Sequence, residues 1–211
     1  MGLACGGCAM PQLGRQESFP RPPCPGCARR KFAFAHAFSG FEYGAALATA
    51  IVRMKHGGRP DLARRLGRIM QDVVSRALTA KGGPFIDAVL PVPLHPRRLR
   101  KRGFNQALEL ARAALGHLGD RRGAVTHPPA LERRLLLRVK ETRELGRSGP
   151  DARRAELDGA FAVADPARVI GRRFLIVDDV MTTGATLNAC AAALLREGAK
   201  EVRVVALARA V

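Results

Sequence analysis

Apolar positions along the chain follow two rhythms, a period near four and short unbroken runs, and the two alternate. Phe32, Phe34 and Phe38 partly alternate with small residues and predict a strand leading into the main body. Tyr43, Leu47, Ile51 and Met54 recur at helical spacing until Lys55-His56-Gly57-Gly58 stops them. Leu62, Leu66, Ile69, Met70, Val73 and Val74 predict a second amphipathic helix, broken before the apolar run at 85–90. That run reads as a buried strand closed by Pro91-Val92-Pro93. Residues 104–118 predict a third helix with Phe104, Leu108, Ala111 and Leu115 on one face. Short strands follow at 135–137 and 160–163. Between them, residues 140–157 are polar and carry Gly146, Gly149 and Pro150, which predicts a mobile loop or flap. The chain ends with a buried strand at 174–177, a turn, a helix over 185–197 capped by Gly198, and a strand at 202–208. Strands alternating with helices imply an α/β fold, a parallel sheet covered on both faces.

A chain of 211 residues with 47% hydrophobic positions has room for one such domain and a small appendage. No apolar run approaches the roughly 20 residues that span a bilayer. The N-terminus shows no basic segment followed by an apolar one, so the expected location is cytoplasmic. The net charge of +18 favours polyanionic partners: nucleic acid, a phosphorylated metabolite or acidic lipid. A compositional bias toward Arg and Ala explains part of it equally well. Charge ranks the partners without choosing one.

Cysteine placement changes the picture of the first 31 residues. Cys5, Cys8, Cys24 and Cys27 read C-x2-C-x15-C-x2-C, with Gly6-Gly7 and Pro25-Gly26 inside the pairs. Each pair can offer two thiolates from one tight turn to a tetrahedral zinc, with no coordination position left open. Disulfides are the competing reading, and a reducing compartment argues against them. Residues 1–31 hold little apolar material, so a metal staple is what would fold them; residues 32–211 form the main domain. Cys190 lies three residues after Leu187 in a helical apolar pattern and reads as core.

The densest chemistry lies at 174–186. Four apolar residues lead into Asp178-Asp179, then Thr182-Thr183-Gly184-Ala185-Thr186 opens an amphipathic helix. In open α/β sheets, ligands bind at the carboxyl ends of the strands. A turn into a helix offers N–H groups, hydroxyls and a positive dipole end to a phosphate, beside carboxylates that accept from sugar hydroxyls. An apolar run ending in two acids also suits a nucleotide hydrolase, but that class needs G-x-x-x-x-G-K-[ST], and neither it nor G-x-G-x-x-G occurs.

Residues 174–186 resemble the signature of type I phosphoribosyltransferases for 5-phosphoribosyl-1-pyrophosphate (PRPP). The wider chain resembles their ComF branch, associated with competence for natural transformation. The marks are the cysteine pairs, Lys55, the run from Asp87 to Pro93, the stretch Arg97–Arg102 before Gly103-Phe104-Asn105-Gln106, and Arg138 with Thr142. The resemblance implies a type I phosphoribosyltransferase-like sheet with a small N-terminal zinc ribbon. By it, Asp178 and Asp179 hold the ribose hydroxyls and help position Mg²⁺. Thr182, Thr183, Gly184, Ala185 and Thr186 cradle the 5′-phosphate. Pro93, Leu94, His95 and Arg102 approach the pyrophosphate, and Arg138 and Lys140 close over it from the flap. The flap departs from the usual pattern at Leu145, Ser148 and Glu156. Three uses follow: phosphoribosyl transfer to an acceptor the sequence does not name, a non-catalytic module for single-stranded DNA working with DNA-uptake proteins, or nucleobase salvage. The basic residues Arg97, Arg98, Arg100, Lys101, Arg102, Arg133, Arg134 and Arg138 support the DNA reading, as does the Phe32–Tyr43 aromatic cluster if it stacks on bases.

Overall fold

The structure is a computed structural model that describes residues 3–12, 24–28, 31–80, 85–116, 118, 129–142 and 155–210. A short hairpin of β1 (Leu3–Ala4) and β2 (Pro11–Gln12) precedes α1 (Pro25–Ala28). Then come β3 (His36–Glu42), α2 (Ala45–His56), α3 (Pro60–Ile69), α4 (Gln71–Leu78) and β4 (Ala88–Pro91). Next are α5 (Pro96–Arg102), α6 (Gln106–Gly116), β5 (Ala130–Leu131), β6 (Leu136–Arg138) and β7 (Phe161–Val163). The chain closes with β8 (Arg173–Met181), α7 (Ala185–Arg196) and β9 (Glu201–Arg209).

Five strands form one parallel sheet in the order β3-β9-β8-β4-β5, as the alternation of runs and amphipathic stretches implies. Successive strand side chains point to opposite faces, and β8 sorts its apolar residues accordingly. Phe174 and Ile176 join one buried cluster with Leu187, Cys190 and Leu194 of α7 and with Leu136 and Phe161 of the β6–β7 hairpin. Leu175 and Val177 join the other, with Ile51 and Met54 of α2, Leu66 of α3 and Leu110 of α6. Cys190 is fully buried in the first, as its spacing predicts. Cys5, Cys8 and Phe34 also belong to this first cluster, so the cysteine-bearing segment packs on the same sheet face as α7.

Several elements differ from their sequence pattern. The first strand begins at His36, because Phe32 and Phe34 stack on each other, centroids 4.7 Å apart, instead of alternating across a sheet. The helix expected through Leu62–Val74 is two helices hinged at the fully buried Met70, whose N–H is shared by the carbonyls of Leu66 and Gly67. β4 starts at Ala88, three residues later than the run suggests, and Phe85 is 91% exposed. The third helix buries Leu110, Ala111, Ala114 and Leu115, with Phe104 outside it. α5 and β5 are additions that the pattern did not announce, α5 because a helix with no buried residue has no apolar stripe. Of the flap expected over 140–157, residues 143–154 lie outside the described residues.

α3 and α6 approach closely because Gly67 has no side chain. A Cβ there would sit 2.6 Å from the Leu110 carbonyl oxygen and 2.7 Å from the Ala113 Cβ. Gly67→Ala gains about 1 kcal/mol of helix propensity, but backbone must move to admit it, which costs roughly 1–3 kcal/mol. The expected outcome is a net loss of stability, read as a lower urea midpoint.

Candidate functional site

β8 is paired on both flanks only as far as Val177, whose carbonyl accepts from the Val92 N–H at 2.9 Å. Beyond that point β9 alone continues beside it, through Met181. After laying down β3 at one edge, the chain crosses to β4, moves outward to β5, then returns to β8 and moves the other way to β9, between β8 and β3. The gap past the ends of β4 and β8 is therefore a topological switch point, where such sheets bind ligands. Asp178 and Asp179 stand at the first residues of β8 that have lost β4. They lie inside the strand, three and two residues before its end, because β9 keeps pairing past them.

Adjacent strand residues face opposite ways, so the two acids do not share an environment. Asp179, 7% exposed, lies on the α2 side, where the Lys55 Nζ is 3.0 Å from its Oδ1. Lys55 is in the last turn of α2, and the pair ties that helix end to the sheet edge. Asp178 lines the cleft on the other side, and its Oδ1 accepts from the Asp179 N–H at 2.9 Å. Burial, and then the charge of Asp179, push the Asp178 carboxyl up to about 7, against the pull of Lys55, the hydrogen bond and Arg138.

Past β8 the chain turns through Thr182 and Thr183 into α7. Gly184, at the N-cap, has φ 78°, which a side chain would strain. A Cβ there would meet the Met181 Cε at 2.8 Å and Phe32 at 3.4 Å. The Thr183 Oγ1 accepts from the Ala185 N–H at 3.3 Å, and Gly184 supplies no capping side chain. First-turn N–H groups of a helix have no partner within it, so this end of α7 presents donors and a positive dipole end.

A cleft of about 420 Å³ opens here, walled by residues 180–187, Asp178, Lys55, Arg98, Arg138, Thr142, Glu156 and Leu157. Buried Thr142 organises its far wall: the Arg98 Nη2 donates to its carbonyl at 2.8 Å and Arg138 donates to its hydroxyl. Arg138 also lies over the Phe161 ring at 5.4 Å, and its buried Nε has no hydrogen-bond partner among the described residues. Lys55 and Arg98 are shared with an adjoining cleft of about 390 Å³, lined besides by His56, Arg97, Lys101, Arg102 and Glu141. The Arg-Gly-Phe-Asn-Gln run explains how those cations are aimed. Gly103, at φ 78°, ends α5, and Asn105 caps α6 by accepting from the Leu108 N–H at 3.3 Å. The Asn105 side chain also donates to the Val92 carbonyl at 3.1 Å, fixing both helices to the end of β4.

The structure therefore brings together Asp178, Thr182, Thr183, Gly184, Ala185, Thr186 and Arg138, with Arg102 in the adjoining cleft. Asp179 is beneath the site, bonded to Lys55. Pro93, Leu94 and His95 line a third groove of about 710 Å³, with Arg133, Arg134, Leu137 and Val139; Arg138 alone of the cleft residues reaches it. Lys140 is exposed and lines none of these three openings. Arg98, Thr142 and Glu156 are wall residues that the sequence offered only as part of a basic run, a family mark and a departure. Arg209, whose guanidinium supports the turn, had one signal in the sequence: it is a charge that follows five consecutive apolar residues, 204–208.

In the N-terminal segment the Sγ atoms of Cys5, Cys8, Cys24 and Cys27 all lie within 4.8 Å of one another. The Cys8–Cys24 separation is 3.8 Å, too long for a disulfide and close to the edge, about 3.8 Å, of a sulfur tetrahedron with 2.3 Å bonds to zinc. The Cys24 N–H donates to the Cys5 Sγ at 3.0 Å, and Gly7 is packed so closely that a Cβ would be 3.3 Å from the Cys27 Sγ. Burial raises the Cys8 thiol. Cys24 falls to about 7, since hydrogen bonds from Cys27, Cys8 and Cys5 outweigh its burial. All five cysteines are free, and this cluster fits a zinc ion.

Residues 135–210, from the β6–β7 hairpin through β9, match the family model described as the phosphoribosyl transferase domain. The DNA utilization protein YhgH of Salmonella typhi is 31% identical over 94% of this chain and 83% of its own length. Competence protein F of Haemophilus influenzae is 31% identical over 98% of this chain and 84% of its own. A solved structure, the allosteric regulatory enzyme of purine biosynthesis, aligns with 74% of this chain at 18% identity and a TM-score of 0.41; the chain spans 29% of it. The fold and the site define a phosphoribosyl transferase-domain protein. Within that class, the chain belongs to the competence protein F (ComF) family. No described helix is long and apolar enough to cross a membrane.

Proposed function

We propose that the chain binds PRPP with Mg²⁺, the 5′-phosphate on the turn into α7 and the pyrophosphate in the basic cleft, and that it serves DNA uptake or utilisation as its relatives' names indicate. The observation that carries this reading is that two adjoining clefts, each able to take an anion, share the walls Lys55 and Arg98. The first adds helix-end donors and the Asp178 carboxylate to those shared cations, the second adds Arg97, Lys101 and Arg102, so one ligand with a phosphate at each end of a sugar would use both. Asp178 accepts from the ribose hydroxyls, while Asp179 acts through Lys55. The four cysteines hold a structural zinc, and residues 1–31 form its ribbon.

In transfer, the bond from ribose C1 to pyrophosphate breaks, positive charge grows on the sugar, and an acceptor attacks C1. Asp178 faces that charge across the cleft. Lys101 and Arg102, with Arg98 between the clefts, offset charge on the departing pyrophosphate. Mg²⁺ enters as part of the substrate, and Arg138 stands in the cleft wall facing Asp178. Pro93, Leu94 and His95 lie in the separate groove and contribute the shape of the loop after β4.

Single-stranded DNA is the second reading, favoured by the same basic cleft and by the exposed arginines of α5. One variant separates the two. Arg102→Met is expected to weaken PRPP by roughly tenfold or more, the worth of a charge-assisted hydrogen bond, and to leave ribose 5-phosphate unaffected, both by calorimetry. Unchanged PRPP affinity with salt-dependent loss of oligonucleotide would favour the DNA module instead.

A further inference from the structure

The cysteine cluster and the phosphate turn belong to different ends of the chain, yet one side chain holds both. Arg209, 6% exposed at the end of β9, donates from Nε to the Cys8 carbonyl at 2.9 Å. Its Nη1 donates to the Met181 carbonyl at 3.0 Å and to the Thr182 carbonyl, the last residue of β8 and the first of the turn. Two further contacts run parallel to it. The Ala33 N–H donates to the Asn188 Oδ1 of α7 at 2.7 Å, and Phe32 packs where a Gly184 side chain would be. The Ala37 N–H also donates to the Gly6 carbonyl at 2.9 Å, so the cysteine knuckle is attached to β3 as well.

A guanidinium is a rigid planar fork, so its two ends cannot be repositioned independently. The carbonyl it holds on one side belongs to a zinc-ligand residue, whose backbone takes its knuckle shape when the four thiolates share a metal. The carbonyls on the other side set where the N–H groups of Thr183 to Thr186 point. Polar groups buried this deeply tolerate little slack, since a lost partner leaves an unsatisfied charge.

We infer that Arg209 is a positioning residue that makes the phosphate turn's affinity for PRPP depend on metal in the four-cysteine site. The inference rests on the proposed PRPP binding and adds a control to it. Linkage requires the effect to be mutual: metal tightens PRPP, and PRPP tightens metal by the same factor. A coupling of roughly 5–150-fold is the ordinary range for such contacts.

The test uses the full-length wild-type chain loaded with zinc. Zinc release to a chromogenic chelator is followed with and without saturating Mg²⁺-PRPP, and PRPP affinity is measured by calorimetry with zinc bound and after its removal. Expected are slower, weaker release of zinc in the presence of PRPP and PRPP binding at least fivefold weaker without zinc. In Arg209→Met both effects disappear: PRPP binds at the level of the zinc-free wild type whether or not zinc is present. A merely structural arginine would lower stability without abolishing the dependence on metal. If Arg209→Met does not fold, the wild-type release measurement decides, because it needs no substitution. Equal zinc release with and without bound PRPP overturns the coupling. Absence of PRPP binding in every form overturns the proposed function beneath it.

Discussion

Asp178→Asn is expected to lose about 100-fold or more of the affinity for Mg²⁺-PRPP, the worth of two hydrogen bonds from sugar hydroxyls to a charged acceptor, and yet to make the fold more stable. The two effects share one cause. The carboxyl is held up to about 7 by burial and by Asp179 beside it, so ionising it costs the folded state. Between its ordinary value near 4 and about 7, the folded chain keeps a proton that the unfolded chain has released. Stability therefore falls as pH rises through that window and stays low above it. Asparagine keeps the Oδ1 that accepts from the Asp179 N–H and carries no charge. Its advantage is absent below pH ~4, grows toward 7, and reaches roughly 1–3 kcal/mol at pH 8. Thermal melts at pH 4 and pH 8 beside calorimetry would read both. A loss of binding with a gain in melting temperature separates a functional acid from a structural one. Asp179→Asn is unlike it, since it strands the Lys55 ammonium.

Gly184→Val is the second large effect, expected on both stability and affinity. A φ of 78° costs a residue with a side chain roughly 1–2 kcal/mol, and a branched one more. The new Cβ would also crowd Phe32 and Met181. The total should be about 2–4 kcal/mol. Whatever conformation relieves the crowding redirects the N–H groups at the start of α7, so PRPP affinity should fall with stability. Urea unfolding and calorimetry on the same samples check this, and a variant with wild-type values in both would remove the turn from the site.

Strand β8 and helix α7 were legible in the sequence because their patterns are dense and unambiguous: four apolar residues, two acids, a glycine turn, then apolar residues at helical spacing. The cysteine pairs were legible for a similar reason, since their spacing has few other uses. Local periodicity could not show that Asp178 and Asp179 face different helices in practice, although the strand's period of two contains that result. It also could not show α5, which buries nothing, or the break at Met70, where both flanking segments remain apolar. Arg209 and Asn188 escaped because their partners lie far away: Arg209 reaches Cys8, 201 positions earlier, and Asn188 reaches Ala33, 155 positions earlier. The grouping of Pro93, Leu94 and His95 apart from the main cleft depends on how α5 and the β6–β7 hairpin pack, which no short window carries.

The phosphate turn is the point on which the site depends, and amide NMR of the full chain titrated with ribose 5-phosphate addresses it directly. The largest saturable shifts are expected at the backbone N–H groups of Thr183, Gly184, Ala185 and Thr186, with little change on α5. Shifts confined to Arg97–Arg102, or none near the start of α7, would contradict it.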